Sequence, residues 1–298
     1  VHAGCIAGAR VADFCDEGPA IALALLGIAL AGGVVVPLDP ALPAARLRSL
    51  LADADVSLLL CSGASVAALS AKLENSRTPL LALEAVGAAG DAPLTTPTPD
   101  ALVHLIYTSG STGAPKAVAV EHGALRAYGW AKIEAHAIRA GCARCLLVSA
   151  HTWDPCIGDV FSTLAAGATL CVVPRAQLLQ DLAGALRATR ASHVCATPSL
   201  WALLRPGVAL DDLEVVALGG EALPRRLVAS SCSAPSAAVH NTYGVTEAAV
   251  YQTIGRAEPT GAAAMCAAGA PLPGIALALA PVAATEAEDA GEILVGGA

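Results

Sequence analysis

Uncharged and mostly apolar positions run unbroken from Ala20 to Val36, punctuated by Gly27, Gly32 and Gly33 and closed by Pro37-Leu38-Asp39-Pro40. The glycine pair and the proline-bounded end predict a helix from Ile21, a turn, and the buried strand Val34-Val35-Val36. The same alternation continues downstream. Pro43 to Asp53 reads as helix, Val56 to Cys61 as buried strand, Ser65 to Leu73 as helix and Leu102 to Tyr107 as strand. The charged segment Glu121 to Ile138 reads as helix and Cys145 to Ser149 as strand. Ile157 to Ala165 then reads as helix, Thr169 to Pro174 as a β-branched run and Leu178 to Thr189 as helix. His193 to Ala196 and Val215 to Leu218 read as strands. Short apolar strands alternating with helices predict an α/β fold of layered, largely parallel sheets flanked by helices.

Composition narrows the function classes. The 298 residues are 55% hydrophobic, 3% aromatic and 14% charged, so the apolar content is Ala, Val and Leu, which suits a large buried core and excludes disorder. Seventeen basic against 25 acidic side chains give a formal charge of -8 without a basic cluster, so no nucleic acid is expected as a partner. Ten scattered cysteines in a chain of this length fit a reduced, cytoplasmic protein better than a disulfide framework. Cys142-Ala-Arg-Cys145 has no second pair at zinc spacing. Ala20 to Val36 is short for a bilayer span and is interrupted, so no membrane insertion is expected, although a tethered protein stays open as a rival. The chain begins at Val1, which points to a fragment or processed chain.

Leu105 to Val118 carries the densest chemistry. Thr108, Ser109, Ser111 and Thr112 offer hydroxyl donors, Gly110 and Gly113 allow close backbone approach, and Lys116 adds a compact positive charge. A polar surface turn and a phosphate-binding loop both fit these residue types. A Walker loop does not, since Pro115 precedes the lysine and Ala117 follows it. Further on, Asp154 in His151-Thr-Trp-Asp-Pro-Cys fits either an N-cap or a carboxylate waiting for a cation. Gly219-Gly220-Glu221-Ala222 ends a strand, where parallel α/β sheets bind ligands. Asn241-Thr242-Tyr243-Gly244-Val245-Thr246-Glu247 offers an aromatic face beside hydroxyl and carboxylate oxygens, while a plain turn before a helix start also fits.

Together these stretches resemble, in order, motifs of the adenylate-forming (AMP-binding) enzymes, and in particular the adenylation domains of nonribosomal peptide synthetases. Tyr-Thr-Ser-Gly-Ser-Thr-Gly-x-Pro-Lys resembles the family's phosphate loop, with Ala117 where the family usually has Gly. Leu30 to Asp39 resembles an early structural motif. Trp153-Asp154-Pro155-Cys156 resembles Phe-Asp-x-Ser, with Trp for Phe and Cys for Ser. Asn241 to Glu247 resembles Asn-x-Tyr-Gly-x-Thr-Glu, with Val245 where many relatives have Pro. Gly291 to Ala298 resembles the strand that precedes the ribose-binding Thr-Gly-Asp. The likeness spans about residues 20 to 298.

The resemblance implies the large N-terminal subdomain, residues 1–298, of an adenylation domain, without the ribose aspartate, the hinge or the C-terminal subdomain with its lysine. It implies ATP and Mg2+, with Lys116 and the residues Thr108 to Gly113 on the β and γ phosphates, Thr246 on the α-phosphate and Glu247 on the metal. Tyr243 would stack on adenine beside Gly219, Gly220, Glu221, Asn241, Thr242 and Gly244. Asp154 would pair the α-ammonium of an amino acid whose side chain meets Pro155, Gly158, Ser199, Ala217, Gly219, Thr242, Val250 and Tyr251. Gly158 and Ala217 are small, so a roomy pocket is expected. The implied reaction makes an aminoacyl-adenylate and pyrophosphate, followed by transfer to phosphopantetheine on a carrier protein domain. An acyl- or aryl-CoA ligase, and a truncated chain that binds nucleotide without turnover, remain as alternatives.

Overall fold

The structure is a computed structural model that describes residues 7–74, 76–86, 96–109, 115–205, 207–231, 237–261, 263–281 and 291–297. The chain forms two compact units. One comprises Val1–Arg126, Val148–Val160 and Val172–Gln177, and the other Ala127–Leu147, Phe161–Cys171 and Leu178–Ala298.

The first unit is built on β1 (Arg10–Asp13), α1 (Ala20–Leu30), β2 (Val34–Pro37), α2 (Ala44–Asp53), β3 (Leu58–Cys61), α3 (Val66–Lys72), β4 (Leu80–Ala82), β5 (Leu102–Thr108) and β6 (Lys116–Glu121). The strands pair in the order β4-β3-β1-β2-β5-β6, all parallel except the β5–β6 hairpin. Strands covered on both faces need continuous apolar runs, and β2 and β3 supply them. Their core gathers Phe14, Val34, Val36, Leu47, Leu50 and Leu59. The uncharged run from Ala20 divides as its glycines dictate. After α1 the chain turns at Gly32, φ +76°, with Gly33 N–H donating to Ile28 O at 2.9 Å, and then enters β2. Among the described residues, no helix is long and apolar enough to cross a membrane.

The remaining elements are α4 (His122–Ala135), β7 (Arg144–Leu146), α5 (Asp154–Ala165), β8 (Thr169–Cys171), α6 (Arg175–Gln180), α7 (Leu182–Thr189), β9 (His193–Ala196), α8 (Pro198–Trp201), β10 (Val215–Gly219), α9 (Arg225–Ser231), β11 (Ala238–Tyr243), β12 (Thr253–Arg256) and β13 (Ala270–Pro271). The sheet of the second unit has the order β13-β12-β11-β10-β9-β7-β8. From β11 to β8 it is parallel, and β12 and β13 join antiparallel. A separate antiparallel ribbon of β14 (Ile275–Pro281) and β15 (Gly291–Gly297) completes the chain.

Some readings of the sequence change. The expected helix Leu178 to Thr189 is two helices, because the Asp181 carboxylate accepts from Gly184 N–H at 2.8 Å and starts α7 afresh. The expected helix from Glu121 starts one residue later, since Glu121 belongs to β6, whose buried Val118 and Val120 alternate with exposed residues. That helix also stops short of Ile138, at Ala135, and the chain then turns at Ala137 with φ +51°, where Ile138 N–H donates back to Ile133 O.

Candidate functional site

In the first unit, β5 delivers Thr108 to the rim of the sheet, and the hairpin register places Lys116 directly opposite it. Ser109 and Lys116 are exposed. Gly110, Ser111, Thr112 and Gly113 lie outside the described residues. Tyr107, just before the turn, donates its hydroxyl to the Asp53 carboxylate at 2.6 Å and approaches Leu50 O at 3.2 Å. Burial and the Asp53 charge keep that phenol protonated by raising its pKa. The end of β5 is thereby tied to α2.

Asp154 opens α5 in its first turn and is 8% exposed. The helix starts at the aspartate rather than three residues later, so Asp154 stands where the helix dipole favours a negative charge. Pro155 follows in the first turn, where a missing N–H costs nothing. Cys156 and Gly158 are buried and Trp153 is exposed. His151 is held by Leu38 O, 3.2 Å from its Nε2, and burial lowers its pKa, leaving a neutral ring that donates to the carbonyl.

In the second unit, β9, β10 and β11 run side by side and parallel, so their C-terminal ends share one rim. Past β9, the Thr197 hydroxyl caps α8 by accepting from Leu200 N–H at 3.2 Å, with Pro198 as the first helical residue. Ser199 donates its N–H to Glu221 Oε2 at 3.1 Å, and its hydroxyl donates to the same oxygen. Glu221 therefore fastens the segment after β10 to the start of α8. Ala217 lies in the strand core, and Gly219 stands opposite Thr242 with no room for a side chain. Gly220 turns with φ +79°. Tyr243 ends β11 and is 41% exposed. Gly244 packs on the Tyr251 and Gln252 backbone, where a Cβ would stand 2.8 Å from Gln252 N. Thr246 and Glu247 then form a single 3-10 turn, the threonine half-buried and the carboxylate exposed. Asn241 is buried, its amide donating to Cys266 O and to Ala267 O at 2.9 Å.

Of the expected pocket residues, Val250 adopts φ +68° and Tyr251 is buried. The Tyr251 hydroxyl lies 2.8 Å from His136 Nε2, and its ring meets Tyr128 edge-on at 5.1 Å. Lys132 Nζ stands 5.9 Å and 6.0 Å from the two ring centres. Burial first, then the neighbouring Lys132, His240 and His193, push His136 well below the usual imidazole pKa, so its ring is neutral. His193 Nε2 donates to His136 O at 2.9 Å, which leaves its Nδ1 to accept from the Ser192 hydroxyl at 2.7 Å. Sequence reasoning missed His136 and also Gln252. Gln252 gives a signal only as a polar residue beside apolar ones, and His136 sits in the charged segment read as helix, where nothing sets it apart from the solvent-facing residues.

The oxygen donors of Thr246 and Glu247 suit a hard divalent cation bridging phosphate, and the exposed Tyr243 ring suits a flat base. The AMP-binding enzyme family matches residues 1–298. Nonribosomal peptide synthetase sidE of Aspergillus fumigatus is 33% identical over 254 residues, 84% of this chain and 12% of that protein. Tyrocidine synthase 3 of Brevibacillus parabrevis is 34% identical over 264 residues, 85% of this chain and 4% of that protein. The chain thus spans a small part of these relatives. A solved complex of VinN with L-aspartate superposes with a TM-score of 0.83 at 26% identity, covering 99% of this chain and 77% of that one.

Proposed function

Because the chain belongs to the AMP-binding enzyme family, we propose that it activates the carboxylate of an α-amino acid with MgATP, giving an aminoacyl-adenylate and pyrophosphate. In this reading residues 1–298 are the N-terminal subdomain of an adenylation domain. The product is passed to a carrier domain's phosphopantetheine thiol in the cytoplasm, as the likeness to peptide synthetases suggests.

The observation that carries the choice of an amino acid is Asp154. Its carboxylate, 8% exposed in the first turn of α5 where the helix dipole favours a negative charge, is suited to pair an α-ammonium. The L-aspartate bound to VinN supports the same substrate class.

The residues then take the following roles. The amino acid carboxylate attacks the α-phosphorus, the bond to the β-phosphate oxygen breaks, and pyrophosphate leaves. Lys116, opposite Thr108, orients the β and γ phosphates together with the donors from Thr108 to Gly113. Thr246 donates to the α-phosphate, where charge develops. Glu247 would hold Mg2+, which when bound neutralises phosphate charge. Tyr243 stacks on the adenine, and Gly219 to Glu221 with Asn241, Thr242 and Gly244 shape its seat. Pro155, Gly158, Ser199, Ala217, Gly219, Thr242, Val250 and Tyr251 bound the amino acid side chain. In the second half-reaction the thiol attacks the acyl carbonyl and AMP departs.

The test is exchange of labelled pyrophosphate into ATP by the full natural polypeptide, with a panel of amino, aryl and fatty acids. Exchange with an amino acid supports the reading. Exchange only with acids that lack an amino group makes the protein an acyl- or aryl-CoA ligase, and no exchange leaves nucleotide binding without turnover.

A further inference from the structure

We infer that Gln252 is a positioning residue that holds the Thr246–Glu247 turn in its working conformation. The inference rests on the reading of that turn as the α-phosphate and Mg2+ site, and it assigns the turn's shape to a side chain outside it.

Gln252 is 1% exposed, and both ends of its carboxamide meet the backbone of the turn. Oε1 accepts from Val245 N–H at 2.9 Å. Nε2 faces Ala248 O at 3.0 Å and the carbonyls of Val245 and Ala249 at 3.4 Å each. A backbone N–H can only donate and a carbonyl can only accept, so the orientation of the amide is fixed by its partners. The side chain thus pairs with Val245 as a neighbouring strand would, and it closes the turn across Thr246 and Glu247. Its own N–H donates to Tyr243 O at 2.9 Å, which ties the clamp to the end of β11.

The turn needs holding. Ala249 and Val250 both adopt left-handed φ, +65° and +68°, and for a β-branched valine that conformation is a genuine outlier. Strain of this kind persists only where the surroundings over-determine it, and it gathers at ligand-binding segments. The turn also packs tightly at its start, since any side chain at Gly244 would press on the Tyr251 and Gln252 backbone. Among the described residues, the turn without the carboxamide keeps the short-range bonds Ala248 N–H to Val245 O at 3.0 Å and Ala249 N–H to Thr246 O at 3.1 Å. Glu247 is exposed and makes no other anchoring contact among the described residues, so its position follows the backbone.

The experiment compares the unaltered full polypeptide with Gln252→Ala, Gln252→Glu and the double variant Gln252→Ala/Ala249→Gly. Glutamate keeps the acceptor and sets an oxygen against three carbonyls, so it separates clamping from packing. Pyrophosphate exchange is expected to show half-saturating MgATP raised about tenfold in both single variants, with half-saturating amino acid changed by less than about twofold. Amide hydrogen exchange at 245–249 is expected to accelerate while 215–219 in β10 stays protected. Glycine at 249, which accepts left-handed φ without strain, is expected to recover part of the MgATP affinity. Unchanged hydrogen exchange at 245–249, or equal losses for MgATP and amino acid, overturns the inference. If the unaltered protein exchanges no pyrophosphate, the reading of the turn as a catalytic site falls, and hydrogen exchange at 245–249 still decides the clamp.

Discussion

Thr242 stands opposite Gly219 across the β10–β11 ladder, and its hydroxyl fills the space a side chain on Gly219 would need while reaching Leu218 O at 3.3 Å. The smallest residue and a hydroxyl are thus matched at the strand ends where the adenine and the amino acid are proposed to meet. Gly219→Ala is expected to lower stability by about 1–3 kcal/mol through overpacking, read from urea unfolding. It should also raise half-saturating ATP. Adding Thr242→Ala should recover only part of the stability, because the backbone oxygen of Thr242 remains 2.8 Å from the added carbon.

A buried carboxylate in the first unit makes stability depend on pH. Asp13 is fully buried at the end of β1, with Oδ1 accepting from Cys15 N–H at 2.8 Å and Oδ2 without a partner among the described residues. Burial, against the opposing Cys15 hydrogen bonds, raises its pKa from 3.8 to about 7. The folded state therefore holds a proton that the unfolded state releases between pH 3.8 and about 7. Asp13 accordingly costs stability progressively as pH rises through that window, by about 1.4 kcal/mol per unit at most. Asp13→Asn is expected to abolish this slope, so that the variant gains on the wild type as pH rises from 5 to 8. A constant difference across that range contradicts the assignment. The buried histidines act in the opposite sense. His104, lowered to about 4 by burial, loses stability as pH falls below 6.5, so the Asn comparison is needed to isolate Asp13.

Tyr251→Phe removes the hydroxyl that His136 Nε2 meets at 2.8 Å. The loss of a buried hydrogen bond of this kind should destabilise by about 1–3 kcal/mol. If the ring bounds the side-chain pocket, half-saturating amino acid changes more than half-saturating MgATP, which steady-state exchange would reveal.

Lys116 is exposed, so its replacement should leave the fold intact and fall on the chemistry. Lys116→Met is expected to lower exchange by about 10–100-fold with an unchanged melting temperature. A variant that exchanges normally would remove Lys116 from the phosphate site.

Much of the fold was legible because its signals are local. The valines of β2, the leucines of β3 and the glycine pair between α1 and β2 declare themselves without any partner. β1 was hidden because Asp13 interrupts its apolar run, and that aspartate makes sense only once its burial is seen. β6 was hidden because alternation through small alanines is faint, and the α6–α7 break rests on one capping carboxylate, Asp181. At the site, Thr108, Asp154, Gly219 and Tyr243 were readable from motif order. The residues that hold them were not. Gln252 and His136 act through contacts that no spacing along the chain encodes, and the tie of Glu221 to Ser199 is equally invisible although Glu221 itself stands in a motif.

The most direct measurement is mass-spectrometric detection of the adenylate formed from MgATP by the full natural polypeptide, offered α-amino acids and their counterparts lacking the amino group. An aminoacyl-adenylate is expected from an α-amino acid, little or none from its des-amino counterpart, and at least about a tenfold loss in Asp154→Asn, where the charge that answers the ammonium is gone. Equal yields from the two kinds of acid, or a yield indifferent to Asp154→Asn, would contradict the pairing of an α-ammonium by Asp154.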